Sequence, residues 1–132
     1  MLGRFLRKLT GPRVPEFRLP NDEELTTTKS GLQYLLLEEG AGQSPTATDQ
    51  VTVRYAGWLM SGRLFDASYP RTATFPLTRV IAGWTEGVQL LMLGGSAIFV
   101  IPADLAYGAR GAPPTIGPGA TLVFRIELVK IG

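Results

Sequence analysis

Hydrophobic and polar positions alternate along much of this 132-residue chain. Leu32, Tyr34 and Leu36 fall on one side of a strand pattern that ends at the acidic turn Glu38-Glu39-Gly40. Val51-Thr52-Val53-Arg54-Tyr55 repeats the alternation with β-branched residues, which suit a pleated, half-buried surface. Ser61-Gly62 reads as a turn between Trp58-Leu59 and Leu64-Phe65, and residues 73–77 read as a further short strand. Then the period changes. Trp84, Val88, Leu91 and Met92 stand at i, i+4, i+7 and i+8, one face of a short helix. Gly94-Gly95 is expected to end that helix, because glycine takes the left-handed C-cap conformation most readily. Residues 97–101 predict a strand closed by Pro102. Residues 121–131 predict a long last strand, with Leu122, Phe124, Ile126 and Leu128 on one face and Arg125 and Glu127 on the other. Strands, one helix, then strands predict the α+β class, an antiparallel sheet with a single helix on its apolar face.

The first residues follow a different pattern. Leu2, Phe5, Leu6 and Leu9 lie at helical spacing with Arg4, Arg7 and Lys8 between them, stopped by Gly11-Pro12. A helix this short is marginal alone. Residues 1–29 are therefore expected to be a basic leader and a polar linker (residues 21–28), poorly ordered, ahead of a single domain over residues 30–132. The alternative for residues 1–20 is weak contact with a membrane surface. No apolar run in the chain is long enough to span a bilayer.

Charge supports this division. Residues 1–18 carry five basic side chains against Glu16, or +4, while the remaining eight basic and ten acidic residues give −2. The basic balance belongs to the leader, so the body gives no reason to expect nucleic acid. Composition narrows the chemistry further. The chain has no cysteine and no histidine. Thiolate nucleophiles, disulfides, Cys-based metal sites, Ser-His-Asp hydrolysis and His-type zinc chemistry are all excluded. No metal or cofactor is expected, and phosphate-loop, dinucleotide and EF-hand motifs are absent.

What remains is a supply of aromatic residues beside turns. Tyr55 ends a strand, Phe65 precedes Asp66, Phe75 lies in a short strand, and Trp84 opens the helix. Tyr107 begins a loop over residues 108–119 with four glycines and three prolines, and Phe124 faces inward on the last strand. Each alone is an ordinary core residue. Together they have the make-up of an apolar pocket edged by two phenols and one carboxylate, the general form of a ligand site. Long Gly/Pro loops in small domains tend to serve such sites.

Five stretches then point to a family. Val51-Thr52-Val53-Arg54-Tyr55-Ala56-Gly57, Leu64-Phe65-Asp66, Val80-Ile81-Ala82-Gly83-Trp84-Thr85-Glu86-Gly87, Leu105-Ala106-Tyr107-Gly108 and Ala120-Thr121-Leu122-Val123-Phe124 occur in order and at matching spacing. They resemble the FKBP-type peptidyl-prolyl cis–trans isomerases, bacterial type, over roughly residues 30 to 131. The resemblance implies a curved antiparallel sheet of about five strands wrapped around one short α-helix. It implies a pocket floored by Trp84 and walled by Tyr55, Phe65, Phe75, Val80, Ile81, Ile116 and Phe124. Asp66 would sit at the rim, hydrogen-bonded by Tyr55 and paired with Arg71. The Ile81 N–H and the Tyr107 hydroxyl would bind carbonyls of a peptide or macrolide. Asp66, Tyr107, Trp84, Phe124 and Tyr55 would carry catalysis.

The implied activity is rotation about X-Pro bonds in peptides and unfolded proteins, in the service of folding, with macrolides of the FK506 and rapamycin type as inhibitors. No covalent bond is made, so the absent histidine and cysteine do not count against it. The other reading is a non-catalytic proline-binding or scaffolding domain that uses the same pocket. A monomer in the cytoplasm is expected, with the periplasm or a membrane surface as the alternatives. The chain departs from the family pattern at Ala67-Ser68, where two serines are common, and at Ile116-Gly117-Pro118, where glycine replaces a second proline. Arg125 stands in place of a common acidic residue.

Overall fold

Alternating β-branched and apolar residues do form strands, and all of them join one sheet. In the computed structural model, residues 13–132 are described. The strands are β1 (Thr26–Thr27), β2 (Gln33–Glu38), β3 (Gln50–Leu59), β4 (Leu64–Ala67), β5 (Ala73–Pro76), β6 (Ser96–Ile101) and β7 (Leu122–Ile131). Among the described residues, one helix, α1 (Ala82–Val88), and two 3₁₀ turns, Leu77–Arg79 and Ala103–Leu105, complete the elements. The sheet is antiparallel with order β1-β2-β6-β7-β3-β4, and β5 also pairs with β3.

Among the described residues there are seven strands, more than the five or so implied by the resemblance. The difference has two causes. Thr26-Thr27 is polar and exposed, so nothing in the hydrophobic pattern marks it as an edge strand. The far side of β3 is shared, with β5 against residues 50–53 and β4 against residues 56–58.

The inner face carries Val51, Val53 and Tyr55 from β3, Ala97, Phe99 and Ile101 from β6, and Leu122, Phe124, Ile126 and Leu128 from β7, all buried. Burying a side chain of this kind stabilises by roughly 1.5–3 kcal/mol. Helix α1 lies across this face. It comes close because it presents glycine to the sheet. A Cβ on Gly83 would sit 2.5 Å from Ile101 Cγ2, and one on Gly87 would sit 2.7 Å from Phe99 Cε1. Two hydrogen-bonded anchors fix the helix. Thr85 Oγ1 donates to the Leu77 carbonyl at 2.7 Å. Glu86 accepts from Thr28 Oγ1 at 2.6 Å and Ser30 Oγ at 2.5 Å.

The helix ends sooner than its apolar spacing predicts. It stops at Val88, because Leu90 and Leu91 donate to the carbonyls of Gly87 and Val88 in tighter i→i+3 bonds. Leu91 is still delivered to the core. Gly94 is left-handed (φ 83°), but it serves the turn into β6, where its N–H donates to Leu128.

A second apolar cluster lies on the outer face of the sheet. Ala56, Trp58, Ile98 and Val123 are buried there, with Phe17, Leu37, Ala67 and Tyr69 packed against them. Phe17 meets Trp58 edge-on, with ring centroids 5.8 Å apart. Pro20 is buried, and Arg18 pairs with Glu24. Within residues 13–29, read from sequence as leader and linker, Phe17 packs on the outer face and Thr26–Thr27 pairs with β2. The amphipathic pattern over Leu2 to Leu9 falls outside the described residues. Among the described residues, no helix is long and apolar enough to cross a membrane.

Candidate functional site

Between α1 and the inner face is a pocket of about 400 Å³, lined by Tyr55, Phe65, Asp66, Phe75, Arg79, Val80, Ile81, Trp84, Tyr107 and Phe124. That volume falls within the roughly 300–1,000 Å³ usual for small-ligand sites. The lining comes from seven parts of the fold: β3, β4, β5, the turn into α1, α1 itself, the loop after β6, and β7.

Trp84 occupies the first turn of α1 and is 4% exposed. Three aromatic rings stand edge-on around its indole. Tyr55 is 5.0 Å away at 81°, Phe124 5.4 Å at 89°, and Phe75 5.5 Å at 85°. Perpendicular contacts of this kind set the positive edge of one ring against the negative face of another. The buried indole N–H has no hydrogen-bond partner among the described residues. The floor is therefore apolar and held by aromatic packing.

The polar groups sit higher. Tyr55 Oη donates to Asp66 Oδ2 at 2.7 Å. Strands β3 and β4 are pinned beside this pair by Ser68, whose Oγ accepts from the Tyr55 N–H and whose N–H donates to the Tyr55 carbonyl, both at 2.9 Å. Burial, and next the bond to Asp66, raise the Tyr55 pKa well above the ordinary phenol value of 10.0. The unfolded chain would ionise this phenol first. The stability Tyr55 holds is thus complete below about pH 10 and is lost as pH rises beyond it. Tyr55→Phe is expected to cost about 1 kcal/mol at neutral pH. It should also flatten the alkaline fall in melting temperature, measured between about pH 8 and pH 11.

Ile81 immediately precedes α1, and its N–H makes no backbone hydrogen bond among the described residues. Tyr107 is 42% exposed at the mouth. Its loop is laced shut by paired bonds between Ala112 and Ile116 and by the Gly119 N–H to the Gly108 carbonyl.

Nine of the eleven residues singled out from sequence line this pocket together: Tyr55, Phe65, Asp66, Phe75, Val80, Ile81, Trp84, Tyr107 and Phe124. Two do not. Ile116, within the loop, is buried in the main core. Arg71 is exposed outside the lining and makes no ion pair with Asp66, whose partner is the Tyr55 hydroxyl. Arg79 lines the pocket without having been singled out. In sequence it is a lone charge at the end of a strand-like run, with nothing to show which way the turn aims it.

Comparisons with known proteins agree with this geometry. Residues 41–129 match the family model described as FKBP-type peptidyl-prolyl cis-trans isomerase. A probable FKBP-type peptidyl-prolyl cis-trans isomerase FkpA from Neisseria meningitidis serogroup B is 56% identical over 108 residues, covering 80% of this chain and 40% of the relative. The outer membrane protein MIP of Legionella longbeachae is 36% identical over 149 aligned positions, covering 99% of this chain and 64% of the relative. The crystal structure of FkpA from Escherichia coli superposes with a TM-score of 0.79 at 42% identity, over 83% of this chain and 52% of that one. The chain thus spans 40% to 64% of the length of these two curated relatives.

Proposed function

This chain belongs to the FKBP-type peptidyl-prolyl cis–trans isomerases, and we propose that it accelerates rotation about X-Pro bonds in peptides and unfolded polypeptides. The observation that carries the reading is the floor, a buried indole ringed by three perpendicular aromatic rings with polar groups only at its rim.

The X-Pro bond resists rotation because resonance gives it partial double-bond character, a barrier of ~18–20 kcal/mol. The planar amide carries separated charge, negative on oxygen. The twisted amide has lost that conjugation and is less polar. A surface of Trp84, Phe124, Phe75 and Tyr55 solvates the twisted form better than the planar one, which lowers the barrier by differential binding. Each tenfold in rate needs only about 1.4 kcal/mol of such preference.

Two donors then hold the ligand's backbone. The Ile81 N–H is unpaired at the head of α1, and the Tyr107 hydroxyl stands at the mouth. Both donate to peptide carbonyls and fix a turn-like geometry around the proline. Asp66 keeps Tyr55 in place through the 2.7 Å bond and orients the wall. No step needs a proton acceptor, in keeping with a chain that lacks histidine and cysteine. Macrolides of the FK506 and rapamycin type occupy the same pocket and block it. The protein acts as a monomer. One relative bears the name of an outer membrane protein, which supports an envelope setting over the cytoplasmic one suggested by the bare sequence.

Exchange spectroscopy on a Leu-Pro tetrapeptide tests the proposal. Micromolar protein should broaden or cross-connect the cis and trans resonances, and rapamycin should abolish the effect. Macrolide binding without any acceleration of exchange would favour a proline-holding domain instead.

A further inference from the structure

Of the two charged side chains that line the pocket, only Asp66 has a role above. The other, Arg79, closes the 3₁₀ turn Leu77–Arg79 and stands next to Val80 and Ile81. It is exposed, and among the described residues it forms no ion pair. Asp66 comes from β4, a different wall, and its carboxylate already accepts the Tyr55 hydroxyl. The rim therefore carries an uncompensated guanidinium on the helix side and a hydrogen-bonded carboxylate on the strand side. A proline seated over Trp84 must lead its two neighbours out across this rim, because the floor below is closed by aromatic rings.

We propose that Arg79 is a specificity-determining residue that selects proline segments carrying a carboxylate side chain beside the proline. The inference rests on the reading of the pocket as a proline site. Guanidinium is a planar fork of donors that matches carboxylate geometry. It also repels a lysine or arginine side chain in the same place. Because Arg79 and Asp66 belong to different walls, the preference applies to one neighbour of the proline and not to both. On the other side an acid meets Asp66 and gains nothing. The pair forms at a solvated rim, so the selection is a few-fold effect and is screened by salt.

The test uses the full chain, Arg79→Gln and Arg79→Glu with two peptide series, Ala-X-Pro-Phe and Ala-Leu-Pro-X, where X is Glu, Leu or Lys. Exchange spectroscopy gives kcat/KM, and tryptophan fluorescence titration gives Kd. In one series the unsubstituted chain should favour Glu over Lys about threefold. Arg79→Gln should bring that ratio to about one, Arg79→Glu should invert it, and about 1 M salt should erase it. Every ratio is taken within one protein, so a general loss of activity cancels. A Glu/Lys ratio near one in both series, or a ratio shared by all three proteins, overturns the inference. The Leu peptides carry the isomerase reading separately. If they bind without faster exchange, that reading fails, while the Kd ratios still decide the role of Arg79.

Discussion

Trp84→Ala is expected to lower stability by about 3–5 kcal/mol, the range for removing a large buried aromatic side chain. The indole is 4% exposed and supports three perpendicular ring contacts at once. Its loss opens a cavity under the pocket that Tyr55, Phe75 and Phe124 fill only by leaving their present positions. Small domains hold about 5–15 kcal/mol in total, so the loss is a large share of the fold's margin. The midpoint of urea denaturation, followed by Trp58 emission, measures it. A fall of less than about 1 kcal/mol would mean that the rings do not depend on the indole. Because the alanine variant confounds folding with activity, Trp84→Phe separates the two. It keeps an apolar ring on the floor but removes area from it. It should remain folded while kcat/KM for a Leu-Pro peptide drops about tenfold, equivalent to about 1.4 kcal/mol of transition-state stabilisation. An unchanged kcat/KM in a folded Trp84→Phe protein would remove the floor from the mechanism.

The features legible in sequence were those fixed by local period or by motif. The alternation over Val51 to Tyr55 and over Leu122 to Leu128 assigned each side chain to its observed face, because one register slip would have turned the whole apolar set to solvent. All pocket residues but Phe75 and Arg79 lie in the five stretches in register, which carry tertiary information that no single residue does. What escaped depended on pairings distant in sequence. Phe17 covers Trp58 across 41 positions, and no periodicity links the two. Glu86 reads as an ordinary helix carboxylate until Thr28 and Ser30 are seen to donate to it from 58 and 56 residues away. Arg71 and Arg79 show the same limit. Both are isolated charges beside turns, and only the backbone path sends Arg79 to the rim and leaves Arg71 outside it. The early end of α1 at Val88 is a different case. Leu91 keeps its helical spacing and its burial but arrives through tighter bonds, so the pattern identified the core residue and misjudged the element.

Gly57 is the least conspicuous requirement of the pocket, and Gly57→Ala is expected to damage it. The residue sits in β3 opposite Asp66 on β4 and Phe124 on β7. A Cβ there would lie 2.6 Å from Phe124 Cε1 and 2.9 Å from Phe65 Cζ. These two rings form one wall, edge to face at 5.5 Å and 87°. Neither can yield freely, because Phe124 also packs on Trp84 at 5.4 Å. One methyl group therefore pushes the wall towards the floor. Overpacking of this kind costs about 1–3 kcal/mol, and a narrowed pocket should reduce kcat/KM about tenfold. Gly117→Ala is the control, since a Cβ there meets nothing within 4 Å. It should stay within about 0.5 kcal/mol of the unsubstituted chain. Gly57→Ala combined with Phe65→Leu restores room and should be more stable than Gly57→Ala alone, the non-additivity expected of residues in contact. If the double variant is instead less stable by the sum of the two single losses, the rings do not crowd position 57, and the wall tolerates a side chain there.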